Sequence, residues 1–121
     1  MRILLVCNQG QNRSKYLAQY LGKKGYDTDY GGIDPQGYNP LRQEQIDNAD
    51  IIIAVRKHIR VKLTERYNTR GKRLYNIEVK DNPIRYPIEA QRKAELSWTG
   101  FQEEYVYPEL RKQVDYILKD F

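Results

Sequence analysis

The sequence is poor in the residues that build disulfide frameworks and metal sites, with one cysteine and one histidine among 121 residues. A single cysteine cannot form an internal disulfide, and a cysteine-rich metal site needs at least two, so both structures are excluded. This cysteine usage is typical of a reducing compartment. We therefore expect a cytoplasmic protein.

Long apolar runs are also missing. No run approaches the roughly 20 residues that a membrane-spanning helix needs, and 31% of the residues are charged. The apolar stretch at residues 3–6 is shorter than the hydrophobic region of a secretory signal, and polar residues follow it instead of a small-residue cleavage site. We expect no membrane partner and interpret the stretch as a buried strand.

The net charge of +5 favours acidic or phosphorylated partners electrostatically. The basic residues are interpreted as spread along the chain without a dense cluster, so nothing here supports a nucleic-acid partner. With 121 residues and 40% apolar side chains, the chain is long enough for one packed domain over residues 1–121 and too short for two. No feature indicates an oligomeric state.

Short apolar runs alternate with amphipathic stretches, a pattern typical of an α/β fold with a parallel sheet. The predicted strands cover residues 3–6, 26–30, 51–55 and 74–79. The predicted helices cover residues 14–24, 41–48, 59–67, 88–96 and the tail from 107. Gly25 is expected to end the first helix in the left-handed region, while Gly31 and Gly32 are placed in a turn-rich segment. Asn39 and Pro40 are expected to begin the second helix.

The loop between the first strand and the first helix carries the strongest functional signal. Ligands of parallel α/β sheets bind beyond the carboxyl ends of the strands, and helix N-termini attract anions. Five residues separate Cys7 from Arg13, which lets the backbone curl so that its amides, a thiol and a guanidinium face one tetrahedral oxyanion. Cations and a helix N-terminus also favour a thiolate, the form that attacks phosphorus. The predicted phosphate-binding residues are Asn8, Gln9, Gly10, Gln11, Asn12 and Ser14.

Each of these residues also has an ordinary structural interpretation. A lone cysteine after a strand is often a small core residue, and an arginine on a first helical turn is often merely solvated. Ser14 is a natural N-cap, with a second role as a hydroxyl that stabilises the Cys7 thiolate. The spacing, the glycine and the strand-loop-helix context together favour an active loop with Cys7 as nucleophile and Arg13 as phosphate clamp.

The Val-Cys-x5-Arg-Ser segment directly after the first strand resembles the low-molecular-weight protein tyrosine phosphatases. Residues 11–14, the Lys-Gly-Tyr turn at residues 24–26 and the Val-Lys-Asp-Asn segment at residues 79–82 are also similar to the phosphatases of the RNA polymerase II C-terminal domain, which share that fold. The resemblance implies a three-layer fold, with a four-stranded parallel sheet in the order 2-1-3-4 and helices on both faces. It further implies a phosphocysteine intermediate, no metal or other cofactor, and an aspartic acid from a late loop as general acid.

The sequence departs from the low-molecular-weight pattern at two places. Gly10 stands where those enzymes usually have asparagine, which is closer to the spacing of the dual-specificity phosphatases. Those enzymes carry their acid upstream of the cysteine, whereas only six residues precede Cys7 here, so the low-molecular-weight topology is preferred. The Asp-Pro-Tyr acid motif becomes Asp81-Asn82-Pro83, and residues 83–99 are interpreted as an insertion.

The resulting hypothesis is a cysteine-dependent phosphatase that acts on a phosphorylated protein, on phosphotyrosine or phosphoserine, or on a small phosphomonoester. Asp81 is the predicted general acid, although an Asp-Asn-Pro turn is its ordinary interpretation. Asp34 competes for the acid role because it precedes a proline, and Tyr38 is predicted to stack on a substrate ring. Two alternatives stay open: a phosphocarrier resembling the B components of sugar phosphotransferase systems, and a non-catalytic phosphate-binding module.

Overall fold

The computed structural model describes residues 1–121 and divides into two compact units, Met1–Glu78 and Val79–Phe121. The first unit contains four strands and three helices. In chain order they are β1 (Arg2–Cys7), α1 (Arg13–Lys23), β2 (Asp27–Gly32), α2 (Gln43–Asn48), β3 (Ile51–Ala54), α3 (Lys57–Arg66) and β4 (Arg73–Asn76). The prediction of a single domain over residues 1–121 stays a prediction.

The strands form one parallel sheet in the order β2-β1-β3-β4, which confirms the predicted order. Residues 3–6 of β1 and the whole of β3 are buried, as strands covered on both faces must be. Because crossovers between parallel strands are right-handed, α1 lies on one face of this sheet, and α2 and α3 lie on the other. The unit therefore has three layers, as expected.

One face of the sheet shows how the core is built. Leu4 and Val6 of β1 cluster with Ile52 of β3, and the cluster continues into Ile46 of α2 and Ile59 of α3. These side chains alternate along each strand, because successive residues of a strand point to opposite faces. Burial on this face fixes the strand register and hence the place where β1 ends.

The second unit is helical. It contains a 3₁₀ turn (Pro83–Arg85), α4 (Ile88–Leu96), α5 (Trp98–Phe101), a π-helical turn (Gln102–Val106) and α6 (Tyr107–Leu118). The predicted helix at residues 88–96 and the predicted tail helix are both present, and Pro108 lies in the first turn of α6. Tyr86, Trp98 and Tyr105 surround the ring of Phe101, at centroid distances of 5.2, 5.4 and 6.0 Å. No helix of the chain combines the length and the apolar character needed to cross a membrane.

Two sequence predictions about the first unit need correction. Gly31 and Gly32 belong to β2 and pair with Val6 and Cys7, so they do not lie in a turn. The fourth strand ends at Asn76 rather than at residue 79, because its partner β3 ends at Ala54.

The predicted start of the second helix is also wrong. α2 begins at Gln43, two residues later than expected. The Leu41 amide donates to the Gly32 carbonyl at 2.8 Å, and the Asn39 side chain donates to the Tyr30 carbonyl at 3.2 Å instead of capping the helix. Both residues therefore attach the chain to the end of β2.

Candidate active site at the end of β1

The Cys7 thiol lies at the carboxyl end of β1, where the loop of residues 8–12 leads into α1. The side chain is 2% exposed, but its sulfur has polar neighbours. The Gly10 amide donates to Sγ at 3.2 Å, and the Ser14 hydroxyl lies 3.0 Å from the same atom. The sulfur therefore has two hydrogen-bonding neighbours, which a side chain packed only among apolar groups would lack.

The direction of the loop backbone is set by the segment that follows β2. The carbonyls of Cys7 and Asn8 accept from the amides of Ile33 and Asp34, at 2.9 and 3.0 Å. The Gln9 carbonyl accepts from the Asn39 amide at 3.1 Å.

The N–H groups of these peptide bonds therefore point to the side of the loop on which the sulfur lies. In a trans peptide the carbonyl and the next N–H point in opposite directions, and all peptide bonds of the chain are trans. The amides of Asn8, Gln9 and Gly10 hence point away from the segment after β2. The Gly10 amide, which reaches Sγ, shows where this side lies. The result is a row of three amides on the sulfur side of the loop, and successive amides of this kind bind anions.

Two glycines allow the loop to lie directly against β2. Gly10 has a φ of +72°, and a Cβ on it would come within 2.4 Å of the Asn39 carbonyl oxygen and 2.5 Å of the Gly32 nitrogen. A Cβ on Gly32 would come within 2.4 Å of the Gln9 carbonyl carbon and 2.5 Å of the Gly10 nitrogen. Neither contact leaves room for a side chain, so both glycines are needed for this approach.

Arg13 and Ser14 form the first turn of α1, and both are buried. The Arg13 side chain has interactions within the protein, and its Nη1 atom is enclosed without a hydrogen bond. A buried arginine at the end of a loop that offers amides suits phosphate binding, because Arg presents several donors to the phosphate oxygens. The interpretation of Ser14 as N-cap is wrong: Asn12 is the N-cap, and Ser14 lies inside the helix with its hydroxyl on the sulfur.

The other predicted substrate-binding residues line the outside of the loop. Asn8 is half-buried, while Gln9, Gln11 and Asn12 are exposed. Tyr38 is 78% exposed and directly precedes Asn39, whose amide binds the loop. The role of each in substrate binding stays a prediction.

The two candidate acids lie in different units. Asp34 belongs to the first, where its amide binds the loop and its carboxylate accepts from the Gln36 amide at 2.9 Å. Asp81 belongs to the second and is half-buried. Asn82, not Asp81, caps the following 3₁₀ turn, accepting from the Ile84 amide at 3.2 Å. The Asp81 carboxyl therefore takes no part in capping this turn.

The start of α3 adds positive charge near the loop. Burial and then the charges of Arg56, Lys62 and Arg13 lower the pKa of His58 below its usual value, although Glu78 opposes them. Burial raises the pKa of Glu78, but hydrogen bonds from the Arg56 side chain and the Lys57 amide outweigh this and leave it lowered. His58 is thus neutral and Glu78 ionised at neutral pH.

A cavity of about 550 Å³ lies at the opposite end of the sheet. Its lining residues are Met1, Ala49, Asp50, Gly71, Lys72 and Arg73. The Lys72 ammonium already donates to the carbonyls of Asp47 and Ala49, at 2.7 and 2.9 Å. No three His, Cys, Asp or Glu side chains come together here or elsewhere in a group that could hold a metal ion.

Sequence reasoning missed the roles of Gly32, which the loop approaches closely, and of Asn39, whose amide binds the Gln9 carbonyl. The signal was present in the adjacent glycines 31 and 32, which were interpreted as a turn. A glycine pair in a strand also marks a close approach of another backbone. The chain matches no known protein-family model and no curated protein sequence.

Proposed function

We propose that the chain is a cysteine-dependent phosphatase of the low-molecular-weight type, which hydrolyses phosphotyrosine or phosphoserine in proteins through a phosphocysteine intermediate. The observation that carries this proposal is the polar environment of Cys7. Its sulfur contacts the Gly10 amide and the Ser14 hydroxyl inside a loop that ends at the buried Arg13. A structural core cysteine has no need of either contact.

In the first step the Cys7 thiolate attacks phosphorus in line, forming the S–P bond while the P–O bond to the leaving group breaks. Arg13 and the loop amides hold the three equatorial oxygens as charge develops on them. Asp81 gives its proton to the leaving oxygen. Because the attacking group is the thiolate, this step needs no base to take a proton from the sulfur.

In the second step water attacks the phosphocysteine, and the S–P bond breaks. Asp81, now a carboxylate, takes the proton from that water, so one carboxyl serves both steps. The Ser14 hydroxyl donates to the departing sulfur, because it already lies 3.0 Å from it. Inorganic phosphate and the starting enzyme are the products. Neither step requires a metal or another cofactor, and we place the reaction in the cytoplasm, where the thiol stays reduced.

The test measures hydrolysis of p-nitrophenyl phosphate and of phosphotyrosine and phosphoserine peptides. Cys7→Ser and Arg13→Ala should each abolish turnover. Gln11→Ala, at an exposed residue of the same loop, is the control variant, and circular dichroism checks that all three variants keep the wild-type fold. Because Cys7 is the sole cysteine, iodoacetate alkylation reports on it alone, and inorganic phosphate should protect it. Turnover that persists in Cys7→Ser would refute the mechanism.

Acid-quench trapping separates the alternatives. A phosphatase should yield a phosphoenzyme that decays to inorganic phosphate. A phosphocarrier should hold its phosphoryl group until an acceptor protein arrives, and a binding module should yield no phosphoenzyme, with phosphate affinity unchanged in Cys7→Ser.

A further inference from the structure

The positive charge of the first unit is concentrated around α3. Eight of the 21 lysines and arginines lie within residues 56–73, where Glu65 is the sole acid. This corrects the interpretation that the basic residues are spread along the chain without a dense cluster. We define the α3 basic face as Arg56, Lys57, Arg60 and Lys62.

Part of this face has charge that the protein does not neutralise. Arg56 pairs with Glu78, with Nε 2.9 Å from Oε1. The side chains of Lys57 and Lys62 form no ion pair and no hydrogen bond. Ile59 and Leu63 are buried in the core, whereas Lys57 is exposed and Lys62 is half-buried.

Both ends of α3 lie against segments that bind the Cys7 loop or the end of β1. At its N-terminal end, the amide of Val55, two residues before the helix, donates to the Val6 carbonyl at 2.9 Å. At its C-terminal end, Arg66 Nη1 donates to the Ile33 carbonyl at 3.2 Å, and the Ile33 amide donates to the Cys7 carbonyl. The chain just before the helix is therefore bonded to the end of β1, and the last turn of the helix is linked to Cys7 through Ile33.

We propose that the α3 basic face binds carboxylates that flank the phosphorylated residue of a polypeptide substrate, so that the enzyme prefers phosphopeptides with acidic flanks. This inference rests on the proposed phosphatase function. The phosphate occupies the loop, and neighbouring glutamates or aspartates meet the free ammonium groups of Lys57 and Lys62. The effect of Arg13 on His58 supports this placement, because it puts the face within electrostatic range of the phosphate clamp.

The chemistry of the face favours a polypeptide over a nucleic acid. Proteins that bind single-stranded nucleic acid combine cations with aromatic side chains on which the bases stack. α3 contains no phenylalanine, tyrosine or tryptophan, and its exposed apolar side chain is Val61. Separate ammonium groups on successive turns suit separate carboxylates, since each is a point charge.

The test compares kcat/KM for two phosphopeptides that differ only in flanking glutamate or glutamine. The wild-type enzyme should prefer the acidic peptide about fivefold at low salt, as expected for an exposed ion pair. The preference should shrink toward unity at about 1 M salt, where the screening length is about 3 Å. Lys62→Glu should remove or reverse it, and Lys62→Gln should reduce it.

Lys23→Glu is the matched control, because it makes the same charge change at the far end of α1, about 15 Å from the loop. It should keep the preference. Equal rates on both peptides, with p-nitrophenyl phosphate still hydrolysed, would refute the role of the α3 basic face and leave the proposed phosphatase function standing. No hydrolysis of any phosphomonoester would overturn the proposed function and this inference with it. Stronger competition by a 5′-phosphorylated RNA oligonucleotide than by the acidic peptide would overturn the polypeptide assignment.

Discussion

Each of the two units is stabilised internally by a different kind of contact. Met1–Glu78 depends on pairings between residues distant in sequence, such as Leu5 with Tyr30 and with Ile53. Val79–Phe121 depends on helices and on rings close in sequence around Phe101. Charge separates them too: the first has 14 basic and eight acidic residues, and the second has seven and eight.

This difference shows where precise geometry is needed. The Cys7 loop has three carbonyls held by backbone amides of a neighbouring segment, and a sheet fixes the position of that segment. Asp81 instead follows the last strand in a segment whose turns are local. Holding an oxyanion demands fixed donors, whereas proton transfer demands one carboxyl within reach.

The largest expected effect distinguishes the two candidate general acids, Asp81 of the second unit and Asp34 of the first. Asp81→Asn should lower kcat for phenyl phosphate by about 10²–10⁴-fold, because a poor leaving group needs its proton. The loss should be smaller for p-nitrophenyl phosphate, whose leaving group is stable without one. Asp34→Asn is the control, since its amide oxygen can still accept from Gln36. A greater loss in Asp34→Asn would transfer the acid role to the first unit.

A second substitution tests whether the units unfold separately. Phe101 is fully buried among three rings, so Phe101→Ala should cost about 3–5 kcal/mol. Hydrogen exchange should rise for amides of residues 79–121 and stay slow in the sheet. Trp98→Ala, at a half-exposed ring, should cost less. Equal loss of protection in both units would favour the prediction of one domain.

A third substitution tests the backbone contact of the first unit. Gly32→Ala should lower kcat/KM by about 10²-fold, because a displacement of the Gly10 amide by about 1 Å misaligns the loop. Gly22→Ala is the matched control, since its Cβ would lie 3.6 Å from Thr28 Oγ1, an ordinary contact. If Gly32→Ala keeps full activity with a normal pH profile, the close approach does not position the amide.

The smallest expected effect comes from the one histidine. Its pKa is lowered in the folded state, so the unfolded chain binds more protons as pH falls below about 6.5, and stability decreases there. Above that value His58 contributes no pH dependence. His58→Gln should remove this loss of stability at low pH. The measurement compares the free energy of unfolding in urea for the variant and the wild type between pH 5 and 7.5. An identical pH dependence of stability in both proteins would contradict this role of His58.

The sequence was most informative where hydrophobic burial decides the structure. The run at residues 51–55 and the spacing of Leu110, Val114 and Leu118 predicted β3 and α6, because each pattern has one way to be buried. The spacing of Cys7 and Arg13 likewise placed these residues at the two ends of one short loop. The predicted start of α2 was wrong because Leu41 and Asn39 bind the end of β2. Such a choice depends on a partner distant in sequence, which local propensity does not contain.

The contact between Gly10 and Gly32 has a consequence for folding. A parallel pairing of β1 and β2 shifted by one residue would bring Ile33 opposite the loop, and its branched side chain would meet backbone where a single Cβ is already too large. β2 has no alternating apolar pattern that could set its alignment. Steric exclusion at the tip of β2 therefore supplies this information instead.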